Sequence, residues 1–278
     1  MIKKGLFFLI GILLLDGCKI PHSAYTLTEN KYSVNEIKEK RGEVMKLNDS
    51  LYKYGKFNYK DSTLNYRILM PISVKEGEKY PLVIIFPHSG GIGKDNMNQM
   101  TTLPKYWLQE NVRKKYPAYI VAIQYPVRSS NYLFDQFKRM YSVPDDYCME
   151  ATSELIKSLS QELKVDDQRV FGIGFSMGAS TLYNLLTRYP DLLTASVSIS
   201  GIPDKDFSEK VAKSPIWIIH GNEDSENPVT PDRMLVEYLR KMNNKNFTYW
   251  EISSLEHTVY PDLYDTNMIP EWLFNLKK

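Results

Sequence analysis

Apolar residues along the chain fall into two repeating patterns. Short, uniformly apolar and β-branched runs occur at Leu82 to Phe86, Tyr119 to Ile123, Val170 to Ile173, Ala195 to Ile199, Ile216 to Ile219 and Phe247 to Ile252. Runs of that length without alternation suit strands covered on both faces. Between them, apolar positions recur at helical spacing over Leu103 to Lys114, Tyr147 to Leu163, Ser176 to Arg188, Pro231 to Met242 and Ile269 to Leu276. Strand and helix in alternation predict an α/β fold, with a mostly parallel central sheet flanked by helices on both faces. Phe57-Asn58-Tyr59 and Leu64 to Met70, on either side of Lys60-Asp61-Ser62, predict an antiparallel hairpin that enters this domain. The domain therefore spans residues 51–278. The stretch before it, to about Ser50, is polar with interleaved charges and predicts a tether with room for a solvated helical turn or more.

A chain of 278 residues that is 43% hydrophobic can bury one large core without a second domain. Its 35 basic and 33 acidic residues are spread along the sequence and leave a net charge of +2, so no basic field suited to nucleic acid stands out. Only two cysteines are present, which implies neither a disulfide framework nor a cysteine metal site, and Cys148 reads as an unpaired buried thiol.

The N-terminus changes the picture more. Lys3 and Lys4 precede an uncharged run from Gly5 to Leu15, the length of a signal-peptide core and well short of the roughly 20 residues that span a bilayer. The run closes on Leu15-Asp16-Gly17-Cys18, which resembles a bacterial lipoprotein signal. That resemblance implies a signal peptide over residues 1–17, a lipid on Cys18 and a tether over 18–50. The protein would then be held on a membrane of the cell envelope outside the cytoplasm.

The clearest chemistry is Gly174-Phe175-Ser176-Met177-Gly178, which follows one apolar run and opens a helical pattern. A serine on a sharp strand-to-helix turn needs neighbours without side chains, and the turn lifts its hydroxyl above the carboxyl edge of the sheet. Such a hydroxyl becomes a nucleophile only when an imidazole removes its proton. Of the four histidines, His22 lies in the tether, and His88 and His220 directly follow strands. With chain order nucleophile, acid, histidine, only His257 leaves room for both partners. The acid is expected in His220-Gly221-Asn222-Glu223-Asp224, with Asp224 foremost and Glu223 and Glu226 as alternatives. Donors for the tetrahedral oxygen are expected from the Met177 amide and from Ser89 or Gly90 in the loop after Leu82 to Phe86. This chemistry requires no metal and no organic cofactor.

Taken in order, Tyr80-Pro81-Leu82-Val83-Ile84, the His88 loop, Val165-Asp166 with Arg169-Val170, Gly174 to Gly178, Tyr189-Pro190-Asp191, Ser198 to Gly201, His220-Gly221 with Asp224, and His257 resemble a known group. It is the α/β-hydrolase esterases akin to feruloyl and acetylxylan esterases and, more distantly, to dienelactone hydrolase and prolyl oligopeptidases. The resemblance implies the α/β-hydrolase fold and a serine carboxylic-ester hydrolase that forms an acyl-enzyme, with acetyl or feruloyl esters on polysaccharide or oligosaccharide as substrate. Two other readings stand beside it: a peptidase of the prolyl oligopeptidase type, although no propeller-length segment precedes the catalytic part, and a non-catalytic glycan-binding envelope lipoprotein. Gly201 to Ser214 is too short for a large lid, so an open site is expected. Trp107, Tyr125, Tyr132 and Tyr260 are candidates to stack on sugar or phenolic rings.

Overall fold

The computed structural model describes residues 25–205 and 209–278. The expected signal peptide, the expected lipidation site Cys18 and His22 lie outside the described residues. Among the described residues, eleven strands run β1 (Tyr25–Glu29), β2 (Lys53–Tyr59), β3 (Ser62–Leu69), β4 (Tyr80–Phe86), β5 (Tyr119–Gln124), β6 (Ser130–Phe134), β7 (Met140–Pro144), β8 (Val165–Phe175), β9 (Ala195–Ile199), β10 (Ile216–Gly221) and β11 (Phe247–Ser253). The helices are α1 (Val34–Met45), α2 (Thr102–Tyr106), α3 (Glu110–Lys115), α4 (Asp146–Glu162), α5 (Met177–Arg188), α6 (Thr230–Lys241), α7 (Asp262–Asp265) and α8 (Met268–Phe274).

Nine strands form one sheet in the order β1-β11-β10-β9-β8-β4-β5-β3-β2. All neighbours from β1 to β5 along that order are parallel, and β3 and β2 close one edge as the expected antiparallel hairpin. Every residue of β4, β5, β9 and β10 is buried, as unbroken apolar runs require. Alternate side chains of these strands feed two hydrophobic clusters, one on each face. α4 and α5 pack on one face, and α2, α3 and α8 on the other.

Three features differ from the sequence expectation. The tether expected up to Ser50 is, over its described part, docked on the domain: β1 adds a parallel strand beside β11, and α1 follows it. α1 is polar over most of its surface and buries only Ile37 and Val44. It is held by a capping box between Ser33 and Glu36 and by contacts distant in sequence, where Tyr32 Oη donates to Asp262 (2.6 Å) and Lys40 pairs with Asp265 (2.6 Å). The helix expected over Leu103 to Lys114 is two short ones, because Gln109 adopts an extended backbone and donates from Nε2 to the Tyr264 carbonyl (3.0 Å). Between β5 and α4, the chain forms a separate two-stranded hairpin, β6 and β7, that sequence patterning does not show.

Candidate active site

β8 delivers Ser176 to the carboxyl edge of the sheet. Its backbone sits at φ 57° and ψ −123°, a strained conformation for a residue with a side chain, of the order of 1–3 kcal/mol. The strain is held by the main chain on both sides: the Ser176 N–H donates to Ile199 O (2.9 Å), and the Ser180 N–H to Ser176 O (3.0 Å). A Cβ on Gly174 would overlap the Gly178 carbonyl, and one on Gly178 would overlap the Phe86 carbonyl of the neighbouring strand. Both glycines of the pentapeptide are therefore fixed by close backbone approach. α5 starts immediately after the serine and aims its unpaired first amides at the same edge.

The loop after β11 brings His257 over the serine, with Nε2 2.9 Å from Ser176 Oγ. Its Nδ1 lies 2.7 Å from Asp224 Oδ2 in the loop after β10. The three expected side chains converge, although 81 residues separate the serine from the histidine. Asp224 rather than either alternative meets Nδ1: Glu226 is exposed, with its carboxylate 3.7 Å from Nε2, and Glu223 contributes its backbone N–H to Leu255 O. The Phe175 ring packs against the imidazole with centroids 4.9 Å apart and limits its swing. Ser176 keeps 8% of its surface exposed, enough for approach from solvent.

Asp224 is nearly buried, and its Oδ1 accepts the N–H of Asn227 (2.7 Å) and of Glu226 (3.1 Å). Burial alone raises a carboxyl pKa, but hydrogen bonds from His220 and His257 and from the Asn227 amide outweigh it and hold Asp224 well below the usual carboxylate range.

His220, which directly follows the apolar run Ile216 to Ile219, does more than fill space. It is wholly buried, with Nδ1 2.7 Å from Asp232 Oδ2 and Nε2 2.8 Å from Asn227 O, and Nε2 also lies 3.4 Å from Asp224 Oδ2. Burial would lower its pKa, yet the Asp224 and Asp232 carboxylates push it up to about 9. Sequence reasoning missed Asp232, the third residue of α6, and Asn227. Asn227 ties the acid loop together, since its N–H holds Asp224, its carbonyl takes His220, and its Nδ2 donates to Ser200 O (2.8 Å) and Tyr132 Oη (3.2 Å). The spacing of Asp232 twelve residues after His220, at the opening of a helix that follows a strand, is the signal that was there to read.

Tyr132 reaches this loop from β6 and also lies 3.1 Å from Ser180 Oγ on α5, so it braces the loop that carries Asp224 against the helix that follows Ser176. The other ring-stacking candidates are core residues. Tyr125 is fully buried and bonds Thr152 Oγ1, while Trp107 and Tyr260 are each 2% exposed. None of the four lines the cavity beside the triad.

That cavity has a volume of about 320 Å³, in the range of small-molecule sites. Its walls come from the end of β4, from α1 and α2, and from Phe175 and the segment His257 to Val259. Of the expected oxyanion loop, Pro87 and His88 line it, and Ser89–Gly91 follow as a single 3-10 turn. Here the Gly90 N–H donates to His88 Nδ1 (3.0 Å). Burial lowers the His88 pKa, with the neighbouring His257 and Arg41 acting in the same direction.

Among family models, the one described as phospholipase/carboxylesterase matches residues 74–264. No curated protein matches the sequence. Among solved structures, a thermostable esterase is similar at 25% identity and a TM-score of 0.72, over 82% of this chain and 63% of that one. Dipeptidyl peptidase 4 of Porphyromonas gingivalis shares the fold at 14% identity and a TM-score of 0.58, over 81% of this chain and 35% of the peptidase. The ferulic acid esterase of the anaerobic fungus Anaeromyces mucronatus shares it at 16% identity and a TM-score of 0.53, over 81% and 90%. The chain thus spans less than two thirds of the first two proteins.

Proposed function

The chain belongs to the phospholipase/carboxylesterase family, whose model covers more than half of it, and on that premise we propose that it is a serine carboxylic-ester hydrolase acting through an acyl-enzyme on Ser176. The observation that carries this reading is the unbroken line from Ser176 Oγ to His257 Nε2 (2.9 Å) and from His257 Nδ1 to Asp224 Oδ2 (2.7 Å).

Ser176 Oγ attacks the ester carbonyl carbon while His257 Nε2 takes its proton. Asp224 accepts a hydrogen bond from Nδ1–H and stabilises the imidazolium. The charge that develops on the carbonyl oxygen falls at the N-terminus of α5, within reach of the Met177 N–H and of a second N–H from Ser89 or Gly90. Because the Gly90 N–H is engaged by His88, it must turn away from that ring to serve, whereas Ser89 needs no such exchange. The imidazolium then protonates the leaving alcohol, and a water molecule, deprotonated by the same nitrogen, releases the acid and restores Ser176.

As substrates we propose acyl groups on polysaccharide or oligosaccharide, acetyl or feruloyl esters among them. Support comes from a cavity that opens beside the triad and from the motif resemblance of the sequence. Attachment to a membrane of the cell envelope through Cys18 belongs to the same proposal and rests on the N-terminal sequence. Six residues separate Cys18 from the first residue of β1, so such an anchor would hold the domain close to the bilayer surface.

The test is pre-steady-state hydrolysis of 4-nitrophenyl acetate by the full chain in detergent. A burst of nitrophenol equal to the enzyme concentration, absent from Ser176→Ala at unchanged thermal stability, is the expected result. Undiminished turnover in that variant would remove the proposal.

A further inference from the structure

The cavity beside the triad is apolar over much of its wall, with Ile85, Phe86, Leu103, Phe175 and Val259 facing it, and it has no aspartate or glutamate in its lining. Its single permanently charged residue is Arg41, which reaches it from α1. Two histidines also border it. Burial lowers the pKa of His88, whose Nδ1 accepts the Gly90 N–H, and His257 is the proposed base.

Arg41 has no ion-pair partner among the described residues, and the sequence shows why. Partners on one helix face stand three or four positions apart, and at those positions from Arg41 stand Ile37, Lys38, Val44 and Met45. The helix acids Glu39 and Glu43 are two positions away and point elsewhere. On the facing elements, Asp262 is taken by Lys31 and Tyr32, and Asp265 by Lys40. Glu226, the acid beside His257, does not line the cavity. Arg41 is exposed at the mouth of the cavity, not enclosed by it, and Glu226 stands just outside the lining; an unpaired guanidinium beside apolar walls that carry no acid can still take an anion with planar, two-pronged geometry, which describes a carboxylate. Gln99, 1% exposed, lines the same cavity, and its Oε1 accepts no hydrogen bond among the described residues. A hydroxyl on the bound group would complement it.

Resting on the esterase reading, we propose that the preferred substrate is an ester that carries a carboxylate, seated on Arg41 while its carbonyl meets Ser176. The carboxylate belongs either to the acyl part, as in a hemi-ester of a dicarboxylic acid, or to the alcohol part, as in an acylated sugar acid. α1 is then a wall of the specificity pocket, and its docking through Ser33, Tyr32 and Lys40 presets the position of Arg41.

Two matched pairs test this on the full-length protein. 4-Nitrophenyl hemisuccinate against 4-nitrophenyl butyrate places the carboxylate on the acyl side, and 4-acetoxybenzoate against phenyl acetate places it on the alcohol side. In at least one pair the anionic ester is expected to have the higher kcat/KM. Arg41→Gln should lower the anionic-to-neutral ratio about tenfold, chiefly through KM, with partial recovery in Arg41→Lys and weakening of the wild-type ratio in high salt. Glu39→Gln, on another face of α1, should leave the ratio where it is. A wild-type preference for the neutral ester in both pairs, or a ratio that Arg41→Gln does not move, overturns the proposal while leaving the esterase reading intact. No hydrolysis of any of the four esters overturns both.

Discussion

His220 Nδ1 lies 2.7 Å from Asp232 Oδ2, and neither side chain has any exposure to solvent. The other ring nitrogen faces the Asn227 carbonyl, which can only accept, so it must carry a hydrogen. Tyr183 donates to the second oxygen of Asp232 (2.7 Å), Asp224 lies 3.4 Å from the other ring nitrogen, and the nearby Glu251 is paired with Arg233. The arrangement requires a proton shared within the His220–Asp232 pair, and this proton sits directly behind the carboxylate that orients the triad histidine.

Because the folded-state pKa of His220 is raised from 6.5 to about 9, its contribution to stability is fully present below about pH 6.5 and is lost as pH rises through about 9. A shift of that size corresponds to up to about 3 kcal/mol. Urea unfolding of the wild type should therefore show a falling free energy between pH 6.5 and 9. His220→Gln should be less stable by roughly 3–5 kcal/mol at pH 6.5, since it strands a buried carboxylate, and its stability should be nearly flat across that window.

Asp224→Asn keeps the size of the side chain but removes the charge that fixes the His257 tautomer. Ester turnover should fall on the order of 10⁴-fold, with circular dichroism unchanged. A loss of less than tenfold would mean that Glu226, 3.7 Å from the imidazole, substitutes for it.

Gly178→Ala places a methyl group against the Phe86 carbonyl, a backbone atom of β4 that has no rotamer by which to yield. Overpacking of this kind costs about 1–3 kcal/mol. The melting temperature should drop by several degrees, and esterase activity should fall further than stability, because the serine turn must shift to make room.

The parallel strands, these glycines and the convergence of Ser176, Asp224 and His257 were readable in the sequence for one physical reason: buried strands are unbroken apolar runs, and these residues lie where such a run stops or in the loop that follows it. α1 carried no such mark. Its burial rests on Ile37 and Val44 alone, and its docking comes from ion pairs and a hydrogen bond to residues more than 220 positions away, which local patterning does not register. The β6 and β7 hairpin was hidden for the converse reason: Leu133, Phe134 and Phe137 look like core residues yet are exposed at its tip. Trp107, Tyr125 and Tyr260 are the opposite case, aromatic rings that could have met a ligand and are packing.

Tyr132→Phe removes the hydroxyl that joins Asn227 to Ser180. The expected loss is about 1 kcal/mol of stability, with a several-fold reduction in kcat at unchanged KM, because the acid loop loses a brace and the cavity loses nothing. Steady-state kinetics on a neutral ester separates the two parameters.

The most direct measurement is to mix the full chain with a slowly hydrolysed 4-nitrophenyl ester, quench in acid within the burst, and map the acyl group by mass spectrometry of peptides. The mass increment of one acyl group on the peptide that contains Ser176, absent after Ser176→Ala, is the predicted result. An acyl group on any other residue, or a burst with no adduct at Ser176, would contradict the account.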